Sequence, residues 1–186
     1  SNWCEPSYQL GEAIISNQDY RYKQSSSAGA PPSIDNTSNY IYGYSYPVPD
    51  GKTVASVTLP FQRDLRLLGI QMSASSQVAN PINTMGIGTA PYQTPNGQGP
   101  DSKGQYYSSA EINQAMVYAN GNTNSKSDPI TLAWSGAQFD ISGIPLGGGD
   151  SANITQCAGQ TIDMPSGDFN YLYLIGAAAG ANLSLI

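Results

Sequence analysis

Alternating side chains mark residues 40–46 as the clearest strand in the sequence. Every second position is a tyrosine, and the residues between them are small or aliphatic. Because successive side chains of a strand point to opposite faces, this period of two predicts a strand that carries all the tyrosines on one face. The tyrosines of this predicted face are Tyr40, Tyr42, Tyr44 and Tyr46.

A turn and two further strands are predicted directly after this segment. Residues 47–51 read Pro-Val-Pro-Asp-Gly, in which proline fixes φ and Asp-Gly supplies a position of positive φ. Residues 53–59 alternate apolar with polar side chains and predict a half-buried strand. Residues 65–72 are almost continuously apolar, so we expect a strand that is covered on both faces.

Two hairpins are predicted in the second half of the chain. Residues 130–134 and 138–141 form the first, and residues 160–164 and 169–177 form the second across a Pro-Ser-Gly turn. Between these halves, Ser108-x-x-Glu111 ahead of Ile112 predicts either a capping box that opens a short helix or an irregular strand. Strands separated by turn-rich loops predict an all-β fold, an antiparallel β-sandwich of jelly-roll or Ig-like type.

Composition adds a cellular location to this prediction. Charged residues make up 11% of the chain, and glycine, proline, tyrosine and uncharged polar residues take their place, which is typical of an exported, extracellular β protein. The net charge of −6 excludes nucleic acid as a partner, because its phosphates would be repelled. Residues 169–186 carry no charge, but their asparagines and glycines predict two strands and not a membrane span.

The two cysteines, Cys4 and Cys157, predict a structural role. The sequence contains no histidine and no Cys-x-x-Cys motif, so we expect no metal site and no cofactor. In an exported chain the two residues are expected to form a disulfide that closes a very long loop. Two buried thiols are the alternative.

Catalysis is not expected. Without histidine the chain cannot build a Ser-His-Asp or Cys-His arrangement. A pair of carboxylates could still hydrolyse glycosidic bonds, but the acidic residues lie mainly in predicted turns; Glu12 and Glu111 are the least turn-like. Sequons for N-glycosylation occur at Asn36, Asn153 and Asn182.

Short motifs along the chain resemble one known module. Those of the first half are Ser1-Asn-Trp-Cys4, Tyr40-Ile-Tyr-Gly-Tyr-Ser45, Ser56-Val-Thr-Leu-Pro60 and Leu67-Leu-Gly-Ile70. Those of the second half are Tyr107-Ser108, Trp134-Ser-Gly136, Gly159-Gln-Thr-Ile162 and Leu172-x-Leu-x-Gly176-Ala-Ala. Together they resemble the β-sandwich accessory module of secreted bacterial peptidases and glycoside hydrolases, of the kind found in acidobacteria.

The order of the two halves departs from that module. Residues 1–75 resemble its C-terminal half and residues 76–186 its N-terminal half, so the halves are permuted. We therefore expect a permuted domain, an excerpt of a repeat array, or a subunit that takes a missing strand from its neighbour. The resulting prediction is an extracellular, non-catalytic structural or adhesive module that joins copies of itself, head to tail, into a filament through strand sharing.

The tyrosine face leaves an alternative function open. Planar aromatic side chains can stack on sugar rings, and a carbohydrate-binding accessory module of a secreted hydrolase would use such a face on polysaccharide. The competing interpretation is a ladder of aromatic side chains packed under a loop or a partner subunit, and we favour it.

Overall fold

The chain is built mainly of strands in antiparallel sheets, with almost no helix. The computed structural model describes residues 3–4, 12–23, 33–73, 76–78, 81–88, 100, 104–110, 112, 131–134, 137–140 and 152–179, and all structural statements concern these. In chain order the strands are β1 (Ala13–Gln18), β2 (Arg21–Lys23), β3 (Ser33–Asp35), β4 (Asn39–Pro47), β5 (Ser56–Thr58), β6 (Leu65–Met72), β7 (Ser76–Gln77), β8 (Ile87–Gly88), β9 (Gln105–Ser108), β10 (Thr131–Trp134), β11 (Ala137–Asp140), β12 (Thr155–Gln156), β13 (Thr161–Asp163) and β14 (Tyr171–Ala178).

The main sheet combines strands from both halves of the chain. Its order is β1-β4-β14-β6-β12, and β7 also pairs with β6. A second sheet has the order β3-β2-β9-β8, in which only the β8–β9 pair is parallel. Strands β5 and β13 form one two-stranded sheet, and β10 and β11 form another.

Strand β14 occupies the centre of the main sheet because its sequence can be buried on both faces. It reads Tyr-Leu-Tyr-Leu-Ile-Gly-Ala-Ala and pairs antiparallel with β4 on one side and with β6 on the other. Its small residues allow close approach at one end: a Cβ at Gly176 would overlap the carbonyl oxygen of Arg66 on β6.

Strand β6 is buried along its whole length, which confirms the expectation from its apolar run. The ring of Phe139 on β11 lies against Gly69 on one face of the sheet. Leu65 and Leu67 face a cavity that residues of β5 help to line. The same hydrophobic core includes Leu59 and Ile162 from the β5–β13 sheet.

Several local predictions are confirmed. Strand β4 covers the tyrosine segment, and Gly51 in the following turn has a φ of +70°. Strands β10 and β11 form the first predicted hairpin, with Trp134 opposite Ala137. Ser109, Ala110 and Ile112 have helical backbone, as the helical alternative for this segment predicts.

The second predicted hairpin is wrong. Both of its strands exist, but β13 pairs with β5 and β14 pairs with β4 and β6. The apolar β14 gains more contact between two long strands than it could at the side of the three-residue β13. The strand predicted over 53–59 is also shorter, because only Ser56–Thr58 pair with β13.

No helix within the described residues is long and apolar enough to cross a membrane.

Candidate functional site

The middle of the predicted tyrosine face lies in the core. Tyr42 is fully buried and Tyr44 is 7% exposed, while Tyr40 is half-buried. Tyr46 is 38% exposed at the end of β4, and burial raises the pKa of its hydroxyl. The burial of Tyr42 and Tyr44 agrees with a packed ladder, and the use of this face for sugar stays a prediction.

The predicted disulfide between Cys4 and Cys157 is not formed. The Cys4 Sγ accepts a hydrogen bond of 2.7 Å from the Arg21 guanidinium. Cys157 lines a cavity beside Leu65, and burial raises the pKa of its thiol to about 11. Both cysteines are therefore free thiols.

Arg21 is the centre of a buried polar cluster that sequence reasoning missed. Its guanidinium makes an ion pair of 2.9 Å with Asp35 and lies 4.9 Å from the ring centroid of Trp3. Trp3 is 2% exposed and stacks edge-on against Tyr107, whose hydroxyl donates to the Tyr40 carbonyl. This arrangement ties β2, β4 and β9 together and is structural in character.

Asp35 makes this cluster sensitive to acid. A 2.6 Å hydrogen bond from the Thr37 hydroxyl, and then the Arg21 guanidinium, hold the pKa of its carboxyl below the usual value. A lowered native pKa stabilises the fold above the unfolded-state pKa, and this stabilisation is lost as the pH falls through the native value. We expect Asp35→Asn to lower the free energy of unfolding by about 1 kcal/mol at neutral pH, since the carboxyl is partly solvated.

Urea unfolding of wild type and Asp35→Asn at several pH values measures this effect. The difference between the two proteins should be constant above the usual carboxyl pKa of about 4 and should shrink as the pH falls from there through the lower native pKa of Asp35. A difference that stays constant throughout this fall would assign the effect to packing and not to the ionised carboxylate.

The three sequons have different surroundings. Asn36 is exposed, so its predicted glycosylation stays a prediction. Asn153 is 2% exposed; its Oδ1 accepts hydrogen bonds of 2.8 and 3.0 Å from the Gly86 and Ile87 amides, and its Nδ2 donates to the Ile87 carbonyl. A glycan on the Asn153 Nδ2 would have to fit beside the Ile87 carbonyl in this buried position, and glycosylation of Asn153 stays a prediction. Asn182 lies outside the described residues.

Glu12 is the one acidic candidate within the described residues, where it is 5% exposed; Glu111 lies outside them, so the absence of a catalytic pair stays a prediction. Within the same residues, no three cysteine or acidic side chains come together as a metal site would require.

A cavity of about 510 Å³ separates the main sheet from β5. Tyr44 of β4 with Leu172 and Leu174 of β14 form one wall, and Val57 and Leu59 form the opposite wall. These residues come from segments more than a hundred positions apart, so no local pattern in the sequence could have revealed the cavity.

Strand β1 is an edge of the main sheet with an unusual composition. It reads Ala-Ile-Ile-Ser-Asn-Gln, contains no charge and no proline, and among the described strands pairs only with β4. A bulge at Ile15 interrupts its register between Ile14 and Ser16. Ser16 and Gln18 are buried, and among the described residues the Ser16 hydroxyl and both Gln18 amide atoms have no hydrogen-bond partner.

Neither models of known protein families, nor curated proteins, nor solved structures match this chain. The resemblance to the accessory module of secreted hydrolases therefore stays a prediction.

Proposed function

We propose that this chain is an extracellular, non-catalytic building block that assembles by adding a strand of a second copy to the edge of β1. The observation that carries the proposal is the uncharged β1 edge itself. Natural edge strands are usually protected by charged side chains or proline, because their unpaired backbone groups attract other strands. In β1 the bulge at Ile15 is the one feature that protects the edge, because a bulge interrupts regular pairing. Ser16–Gln18 follow the bulge in regular pairing with β4.

The interleaved topology fits a single permuted domain better than two separate halves. Strand β14, from the second half, lies between β4 and β6 of the first half. We propose that the main sheet and the β5–β13 sheet face each other as the two layers of a β-sandwich. The carbohydrate-binding alternative has less support, because Tyr42 and Tyr44 are buried.

A charge at the β1 edge should prevent assembly. Asn17 is exposed in the middle of the strand, and Asn17→Lys would place an ammonium group where a partner strand must pack. We expect the mass of the wild-type protein to increase with concentration in sedimentation or light-scattering measurements. Asn17→Lys should stay monomeric up to concentrations about tenfold or more higher, because burying an unpaired charge opposes association.

Gln62→Lys is the matched control, since it adds the same charge to an exposed loop away from β1. It should assemble as the wild type does. A wild-type protein that stays monomeric at all accessible concentrations, or equal assembly of both variants, would exclude strand addition at β1.

A further inference from the structure

The cavity between the main sheet and β5 is partly open to solvent and is much larger than the voids of a packed interior, which rarely exceed the size of a few water molecules. At about 510 Å³ this cavity falls within the range of small-molecule sites, which is roughly 300–1,000 Å³. The two walls are held by different sheets, so the space between them is a feature of the fold.

The walls are mainly apolar, and two of their polar groups, the Tyr46 hydroxyl and the Cys157 thiol, are neutral. The lining is mainly aliphatic and includes Leu172, Leu174, Val57 and Leu59. The raised pKa values of Tyr46 and Cys157 keep the hydroxyl and the thiol protonated at neutral pH. Arg66 also borders the cavity, and its carbonyl lies against Gly176. Along β6, Arg66 alternates with Leu65 and Leu67, which line the cavity.

A peptide strand would be a poor occupant of this space. In the wall formed by the main sheet, β14 is hydrogen-bonded to β4 on one side and to β6 on the other. A peptide lying on that wall would bury its own N–H and C=O groups without partners, at a cost of several kcal/mol in total. The occupant must therefore be a molecule with few polar groups.

We propose that this cavity binds an uncharged, mainly apolar small molecule, with the Tyr46 hydroxyl at the exposed end of β4 as its polar contact. Tyr46 combines partial exposure with a hydrogen-bonding hydroxyl, which suits it to the polar end of such a ligand. The hydroxyl of Thr58, which also lines the cavity and is exposed, lies 3.0 Å from the Thr161 hydroxyl and hydrogen-bonds with it. The proposal concerns a surface different from the β1 edge and does not depend on assembly.

Titration with the uncharged fluorescent probe N-phenyl-1-naphthylamine tests the site. The wild-type protein should bind it saturably with one site per chain. Val57→Trp would fill the cavity from the β5 wall and should weaken binding by about tenfold or more. Val54→Trp is the matched control, because Val54 is a half-buried valine of the same segment that does not line the cavity; its affinity should equal that of the wild type.

Methyl NMR of the wild-type protein gives a second measurement that needs no variant. Addition of the probe should shift the methyl signals of Val57, Leu172 and Leu174. The methyl groups of Ile34, which is 60% exposed, should not move. Absence of saturable binding, equal weakening by both tryptophan variants, or shifts centred on Ile34 would each overturn the proposal.

Discussion

Gly176→Ala should lower the free energy of unfolding by about 3 kcal/mol or more, the largest effect expected of any single methyl group in this chain. The added Cβ would overlap the Arg66 carbonyl oxygen, which belongs to the backbone of β6 and cannot rotate away. Relief requires β14 to separate from β6 and thereby weakens the centre of the main sheet. Urea or thermal unfolding measures the loss, which is a large part of the 5–15 kcal/mol typical of native proteins.

Gly51→Ala is the control for this substitution. Gly51 has a φ of +70° but open space around its Cβ position. Alanine at position 51 should lower the free energy of unfolding only by the cost of a left-handed backbone, about 1 kcal/mol. Equal losses at Gly176 and Gly51 would mean that β14 and β6 do not approach each other as closely as described.

Asn153→Ala should cost about 3 kcal/mol, because the substitution leaves the buried Gly86 and Ile87 backbone groups without hydrogen-bond partners. The Asn153 amide adds to the backbone hydrogen bonds between Thr84 and residues 153–154, which also join the segment before β12 to the segment before β8. The free energy of unfolding from urea titration gives the magnitude, and loss of amide protection at Gly86 and Ile87 in hydrogen exchange locates it.

Asn83→Ala provides a matched comparison. The Asn83 amide also bridges two segments, with hydrogen bonds of 3.1 and 2.7 Å to the Gln156 backbone, but it is exposed. Water replaces those bonds, so we expect a loss of less than about 1 kcal/mol. Should the two asparagines prove equally costly, burial would not be what makes Asn153 important.

Local patterns predicted only some of the strands and did not predict which strands pair. Strands without a predicted counterpart are β1, β2, β3, β7, β8, β9 and β12. The alternation in β4, the apolar run of β6, the turn at Gly51 and the β10–β11 hairpin each follow from side chains close in sequence. The position of β14 depends on contacts with strands more than a hundred residues away. Proximity in the sequence therefore suggested the wrong partner for it.

The candidate sites show the same limit. Four regularly spaced tyrosines indicate a face of a strand, but only the folded chain decides whether that face is buried. The cysteines were predicted to pair on the basis of the expected location, whereas Cys4 contacts Arg21 and Cys157 lines the cavity. The sequence shows that β1 contains no charged residue. The position of β1 at the edge of the main sheet follows only from the order of the strands.

The central position of β14 has a consequence for how the protein is made. During synthesis β4 and β6 emerge early, but the strand that separates them follows about a hundred residues later. Until residues 171–178 arrive, both strands expose edges that β14 later covers, and they could pair wrongly with each other. Such distant pairing is typical of slowly folding β proteins, in which most of the chain must be present before the sheet becomes stable.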